Sequence, residues 1–158
     1  MSVQTVAGAA ISISASIPAT FNSAGYLAVF TASPVPPVIG QITDAGQHGR
    51  VYNVVTHNPI GSRGTQKFKG SFNEGQKVLT VGVDEDDAGQ TLAITALNSD
   101  NDYSFKVAYQ DGSIDYFQAK VIGFQKSMTG VDTMLTASLT LEITTSNAGV
   151  GVVYVAAP

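Results

Sequence analysis

The chain has 158 residues, 44% of them apolar and only 13% charged, with a net charge of −4. That length suits a single domain over 1–158 with a core of its own. The lack of cysteine excludes disulfides and thiolate metal sites, and no run approaches the roughly 20 apolar residues of a membrane-spanning helix.

In chain order, strand signals dominate. "AGAAISISASIPA" has the tone of a signal peptide, but the first basic residue is Arg50, so a positive n-region is missing. The expected start of the working protein is therefore Met1 or Ser2, in the cytoplasm. Within this stretch Ile11, Ile13 and Ala15 alternate with serines, which is strand periodicity. "GYLAVFTAS" (25–33) reads as a short apolar strand stopped by Pro34, Pro36 and Pro37. "GQITDAG" (40–46) begins another. Residues 46–70 hold five glycines and read as a long loop or two-stranded arm, with Val51–Thr56 as one leg.

"KVLTVGVD" (77–84) is a strand by its β-branched content. The one helix expected spans 87–98. Asp87 with Gln90 makes a capping-box-like start, acids sit at its positive end, and Ala88, Leu92 and Ala96 share a face widened by Ala93 and Leu97.

"YQDGSIDYFQAKVIGF" (109–124) reads as a hairpin of two strands, whose first strand carries back through Tyr103, Phe105 and Val107. A two-residue Asp-Gly loop would put Phe105 and Phe117 on opposite sheet faces. A three-residue loop, Gln110-Asp111-Gly112 with Gly112 left-handed, puts them on the same face and is the expected register. The other face then carries Ser104, Lys106, Tyr116, Gln118 and Lys120. In "TASLTLEIT" (136–144), Ala137, Leu139, Leu141 and Ile143 face in, while Ser138, Thr140 and Glu142 face out. Residues 145–158 form a C-terminal strand extension, suited to a sheet on this subunit or a neighbour. The fold class is mainly β: a β-rich α+β sandwich or barrel with one flanking helix.

Charge is unevenly spread. Residues 45–83 carry Arg50, Arg63, Lys67, Lys69 and Lys77 against Glu74, a net of +4. Residues 84–115 carry eight acids against Lys106, a net of −7. A self-assembling subunit needs such a split where one patch meets the opposite patch of its neighbour.

Candidate chemistry is thin. "DEDD" (84–87) has clustered carboxylates but not an EF-hand spacing, and reads as a solvated helix start. Asp111 and Asp115 read as turn and strand-edge charges before an acid–base pair. His48 and His57, with Asp44 nearby, have no nucleophile motif beside them. Lys67, Phe68 and Lys69 make a weak basic-aromatic patch. No Walker, Rossmann or G-x-S-x-G fingerprint occurs. The expectation is a non-enzymatic protein with no cofactor.

With its elements in this order, the chain resembles the major tail tube proteins of long-tailed bacteriophages, the lambda-like tail tube family. The resemblance is strongest over 84–144, in "DEDDAGQTLAITALNSDNDYSFKV" and "YQDGSIDYFQAKVIGFQKSMTGVDTMLTASLTLEIT". Upstream, "TFNSAGYLAVF", "IGQITDAGQHGRVYNVVTH" and "GTQKFKGSFNEGQ" are also similar to it. The resemblance implies a structural virion protein, assembled in the host cytoplasm into hexameric rings that stack as the tail tube. Strands of each subunit would line a lumen through which DNA passes without specific binding. Partners would be the chain itself, the tape-measure protein and the tail-terminator or tail-tip proteins, with no membrane. The 46–70 segment would reach an adjacent ring. Expected contact residues are Arg50, Tyr52, His57, Arg63, Lys67, Phe68 and Lys69 on one side, and Asp84, Glu85 and Asp86 on the other. Expected lumen-lining residues are Ser104, Lys106, Gln118, Lys120, Ser138, Thr140 and Glu142; if Lys106 and Lys120 both face the lumen, Asp115 or Glu142 must offset them, and otherwise the two lysines point outward. Two rivals stand beside this reading. One is the tube of a related bacterial secretion or injection system. The other is a monomeric β-sandwich decoration or binding module, which should present exposed aromatic residues, yet the chain has no tryptophan.

Overall fold

The computed structural model describes residues 3–158; the expected start at Met1 or Ser2 lies outside the described residues. The elements are β1 (Ala10–Ser14), α1 (Ser23–Thr31), β2 (Val38–Ile39), β3 (Ile42–Asp44), β4 (Val51–His57), β5 (Gln66–Asn73), β6 (Gln76–Gly82), α2 (Ala88–Leu97), β7 (Tyr103–Ala108), β8 (Ile114–Ser127), β9 (Thr136–Thr144) and β10 (Val153–Val155). One antiparallel sheet runs β2-β1-β7-β8-β9-β6-β3, with β10 also on β8; β4 and β5 form a separate two-stranded sheet. The fold is β-rich, as the strand periodicities predict.

The sheet order fixes its shape. β2 and β3 lie at opposite edges, yet only Gly40 and Gln41 separate them. Three Cα steps of 3.8 Å reach about 11 Å at most, so the two edges must meet and the sheet rolls into a barrel. Gln41 turns the seam with φ 60°, and Gly82 N–H donates to its carbonyl at 2.8 Å. The start of α2 is stitched to this seam. Asp87 Oδ2 accepts from Gln90 N–H at 2.9 Å, as the cap predicts, and from Gly40 N–H at 3.0 Å. Gln90 does not reach back to the cap: its Nε2 donates to the carbonyls of Gly40 (3.1 Å) and Gly82 (2.8 Å). Ala93 and Ala96 are fully buried against the core, while Ala88, expected on that face, is exposed and Gly89 and Gln90 are buried instead.

The hairpin has the expected register. Tyr109 N–H donates to the Ser113 carbonyl at 2.9 Å, Gly112 has φ 93°, and three residues form the loop. Phe105 opposes Phe117, their rings stack at 5.4 Å, and both are fully buried. β9 alternates as read, with Ala137, Leu139, Leu141 and Ile143 buried.

One expectation needs correction. Residues 25–33 are not a strand: 23–31 form α1, so there are two helices, not one. Asn22 caps α1 by accepting from Gly25 N–H at 2.8 Å. Tyr26, Val29 and Phe30 then pack with Tyr116 on the outer face of β8 as a second small core, Tyr26 and Tyr116 stacking at 5.2 Å. The C-terminal strand β10 serves this subunit, because Val153–Val155 pair with Tyr116–Ile114 and continue the ladder β9 leaves. The arm read at 46–70 has its two legs at 51–57 and 66–73, so its second leg runs three residues past that bound.

Candidate functional site

Two features stand apart from the folded body. The first is the β4–β5 arm. Its tip is the 58–65 loop, and every residue of β4 is exposed. Val54, Val55 and Phe68 are each more than half exposed, and Ile60 is fully so. Register places Tyr52, Phe72, Val54, Lys69, Thr56 and Lys67 on one face, and Val55 and Phe68 with His57 and Gln66 on the other. Lys69 Nζ lies 4.9 Å from the Tyr52 ring centre, a cation–π contact. An isolated two-stranded hairpin is at best marginal in water, and apolar surface of this extent marks a docking element.

The second feature is the polar root of the arm. Arg50 stacks 3.7 Å over the Phe72 ring and pairs with the buried Glu74, Nη2 to Oε1 at 2.8 Å. His48 Nε2 lies 2.8 Å from Asp115 Oδ2, and Tyr109 donates its hydroxyl to the same oxygen at 2.6 Å. Lys77 Nζ donates to His48 Nδ1 at 3.1 Å. Lys77 is only 2% exposed, and burial pulls its pKa down to about 8. Burial and the Asp115 carboxylate together push the Tyr109 hydroxyl well above its ordinary range. The cluster floors a cleft of about 660 Å³ whose walls include Val6, Ile42 and Val107.

Each expected site residue can now be placed. Arg63, Lys67 and Lys69 are exposed on the arm, with Tyr52, His57 and Phe68; Arg50 is spent at its root. Glu85 and Asp86 are exposed before α2, and Asp84 is half-buried with its Oδ1 accepting from Asp86 N–H at 3.0 Å. Lys77, Glu74 and Asp115 are interior, so they add nothing to the surface contrast read from the charge blocks. Asp111 turns the hairpin by accepting from Ser113 and is not paired with Asp115. His57 stands at the end of β4 next to the tip loop, while His48 lies in the root cluster. Among the described residues no group of three His, Asp or Glu side chains is placed to hold a metal ion.

The expected lumen wall divides. Ser104 and Gln118 are buried inside the subunit: Gln118 Nε2 donates to Ser104 Oγ at 2.6 Å, and Ser104 Oγ donates to the Ser16 carbonyl at 2.7 Å. The 14–18 segment covers them, so they face no open space. Ser138, Thr140, Glu142 and Lys106 are half-buried and Lys120 is exposed. Lys120 pairs with Asp102. The sequence reading missed the Lys77–His48–Asp115–Tyr109 cluster. Its only sequence signal is a lysine at a core-facing position of β6, where alternation with Leu79 and Val81 calls for an apolar residue.

No family model matches the chain, and no curated protein matches its sequence. Solved structures do match the fold. A chain in the sheath/tube terminator of the extracellular contractile injection system PVC aligns over 99% of both chains at TM-score 0.68 and 10% identity. A chain in the baseplate of the anti-feeding prophage aligns over 91% of this chain and 94% of its own, at 0.63 and 15%. A chain of the PVC sheath–tube complex aligns over 94% and 88%, at 0.55 and 10%. This chain shares its fold with proteins of contractile injection particles. At these identities the likeness concerns the fold alone, and it spans both the barrel and the arm.

Proposed function

We propose that the chain is a structural tube subunit of a phage-tail-like particle, polymerising as hexameric rings that stack into a hollow tube. The observation that carries the reading is the arm: an exposed two-stranded sheet, apolar on both faces, with no partner surface among the described residues of its own chain. Arg63, Lys67 and Lys69 on the arm would meet Asp84, Glu85 and Asp86 at the start of α2 in another copy. Lys106, Lys120, Ser138, Thr140 and Glu142 remain the candidates for a lumen wall. The tail tube of a long-tailed, lambda-like phage is the first form of this reading. There the lumen would pass DNA at ejection, with tape-measure and tail-terminator or tail-tip proteins as partners in the virion, assembled in the host cytoplasm. The tube of an injection system is the second form, favoured by the particles in which the fold recurs. Both make the protein structural and not catalytic.

Charge reversal tests the contact. Replacing Lys67 and Lys69 by Glu should slow polymerisation at low salt, followed by light scattering, and leave the melting temperature of the unassembled subunit nearly unchanged. The screening length is about 8 Å at physiological ionic strength, so added salt should slow the parent and narrow the gap. Equal growth rates at low salt would remove these lysines from the contact.

A further inference from the structure

We propose that the loop between β8 and β9, residues 128–135, is the surface on which the β4–β5 arm of a second copy docks. Strand β6 separates the two features. The arm leaves the body at the Gln76 end of β6, where Gln76 pairs with Glu142. It is firmly rooted there: Glu74 is buried, and Ile143 N–H donates to the Gly75 carbonyl at 3.1 Å. The loop lies at the Gly82 end, where Thr136 pairs with both Gly82 and Ser127. Six strand steps from Gln76 to Gly82 come to about 20 Å. One copy therefore carries its arm root and its loop at opposite ends of the same strands.

The two surfaces match in apolarity and in charge. Met128, Val131 and Met134 are almost fully exposed, around an open hollow of about 480 Å³. Thr133 holds the loop in shape: its Oγ1 accepts from Gly130 N–H at 3.1 Å and donates to the Gly130 carbonyl at 2.8 Å. Val83 N–H donates to the Leu135 carbonyl at 3.0 Å, which ties the acidic 84–86 segment to the apolar loop. Asp84, Glu85, Asp86 and, in the loop itself, Asp132 outnumber the nearby Lys126. The arm is the reverse. Residues 51–73 hold Arg63, Lys67 and Lys69 and no acid, with Ile60 bare at the tip and Phe68 more than half exposed. Apolar arm residues fill the hollow while the arm's bases meet the carboxylates beside it. Those carboxylates repel nucleic acid and anionic lipid, so a basic, apolar hairpin is the occupant that fits. The contact joins two different patches, so each docked pair leaves one arm and one loop free and the contact repeats. That it stacks rings rests on the tube reading.

The chain lacks cysteine, so Ile60→Cys/Val131→Cys carries one thiol at the arm tip and one in the loop. A disulfide needs Cα atoms within about 7 Å. Mild oxidation should therefore link copies head to tail, giving a ladder of covalent oligomers on a non-reducing denaturing gel. Ile60→Cys/Leu27→Cys, with its second thiol exposed on α1, should lose the ladder. Val131→Asp sets a carboxylate where the apolar tip lands. It should slow polymerisation about tenfold, the effect of one valine left unburied, with the melting temperature of the subunit unchanged. Glu85→Lys/Asp86→Lys should slow growth as well, and regain it when combined with Lys67→Glu/Lys69→Glu. No ladder from the Val131 pair, an equal ladder from the Leu27 pair, or Val131→Asp growing as fast as a growing parent overturns the docking surface. Negative-stain microscopy of the parent separates the two claims. Tubes without a ladder leave the tube reading and overturn the contact; a ladder without rings or tubes keeps the contact and refutes the tube reading.

Discussion

Phe105 and Phe117 stack across β7 and β8 with no exposure on either ring. Truncating a buried phenylalanine costs the transfer of its ring and a cavity, about 3–5 kcal/mol. Denaturant unfolding of Phe105→Ala and Phe117→Ala should show a loss of that order in each; two neutral results would refute the register. This pair was legible in sequence because turn chemistry and alternation constrain each other: only a three-residue loop puts both rings inside. Lys77 was not legible as a core residue, since charge argues for the surface unless its partners are known. His48 and Asp115 lie 29 and 38 positions away along the chain. Its lowered pKa has a definite sign. The folded chain gives up this proton at about pH 8 while the unfolded chain keeps it to about 10.5, so stability rises with pH between them. Tyr109, Tyr26 and Tyr116 have raised values and act oppositely above pH 10, which confines the rise to pH 8–10. The gain should be on the order of 1–3 kcal/mol and vanish in Lys77→Met. A parent as pH-sensitive as its Met variant would contradict the buried ammonium.

At the scale of elements, α1 shows how a helix hides from periodicity. Residues 24–30 are apolar on nearly every side, so no polar stripe contrasts with the buried face, and the run reads equally well as a strand. The deciding signals were Asn22 as a cap and the spacing of Tyr26, Val29 and Phe30, which is helical. α2 was legible because its cap is explicit. Gly89 in α2 separates propensity from packing. A glycine in a helix interior is about 1 kcal/mol worse than alanine, so propensity favours Gly89→Ala. A Cβ there would lie 2.4 Å from the Val38 carbonyl oxygen and 2.6 Å from Ile39 Cα. Backbone cannot yield as a side-chain tip can, so overpacking of about 1–3 kcal/mol should win. Thermal unfolding should show Gly89→Ala less stable than the parent; a stabilised variant would mean that α2 stands further from β2. The arm was legible as an irregular segment but its second leg was not, because Gln66–Asn73 shows no apolar alternation. Its strand character comes from pairing with β4.

For the whole molecule, order in the sheet matters more than any single strand. The strands were readable one by one, but the seam at Gly40-Gln41 depends on which strands are edges, and that is a three-dimensional fact. The barrel consumes its own edges, through the seam and through β10, and leaves one unpaired sheet, the arm. The proposed function gives the exposed apolar hairpin a role as an assembly surface, since exposed sheet is otherwise an aggregation hazard. The direct test of that claim is negative-stain electron microscopy of the purified chain at micromolar concentration. Rings of six subunits, and tubes built from them, are the predicted result. A uniform population of monomers, at the concentration and salt at which the arm should dock, would contradict the account.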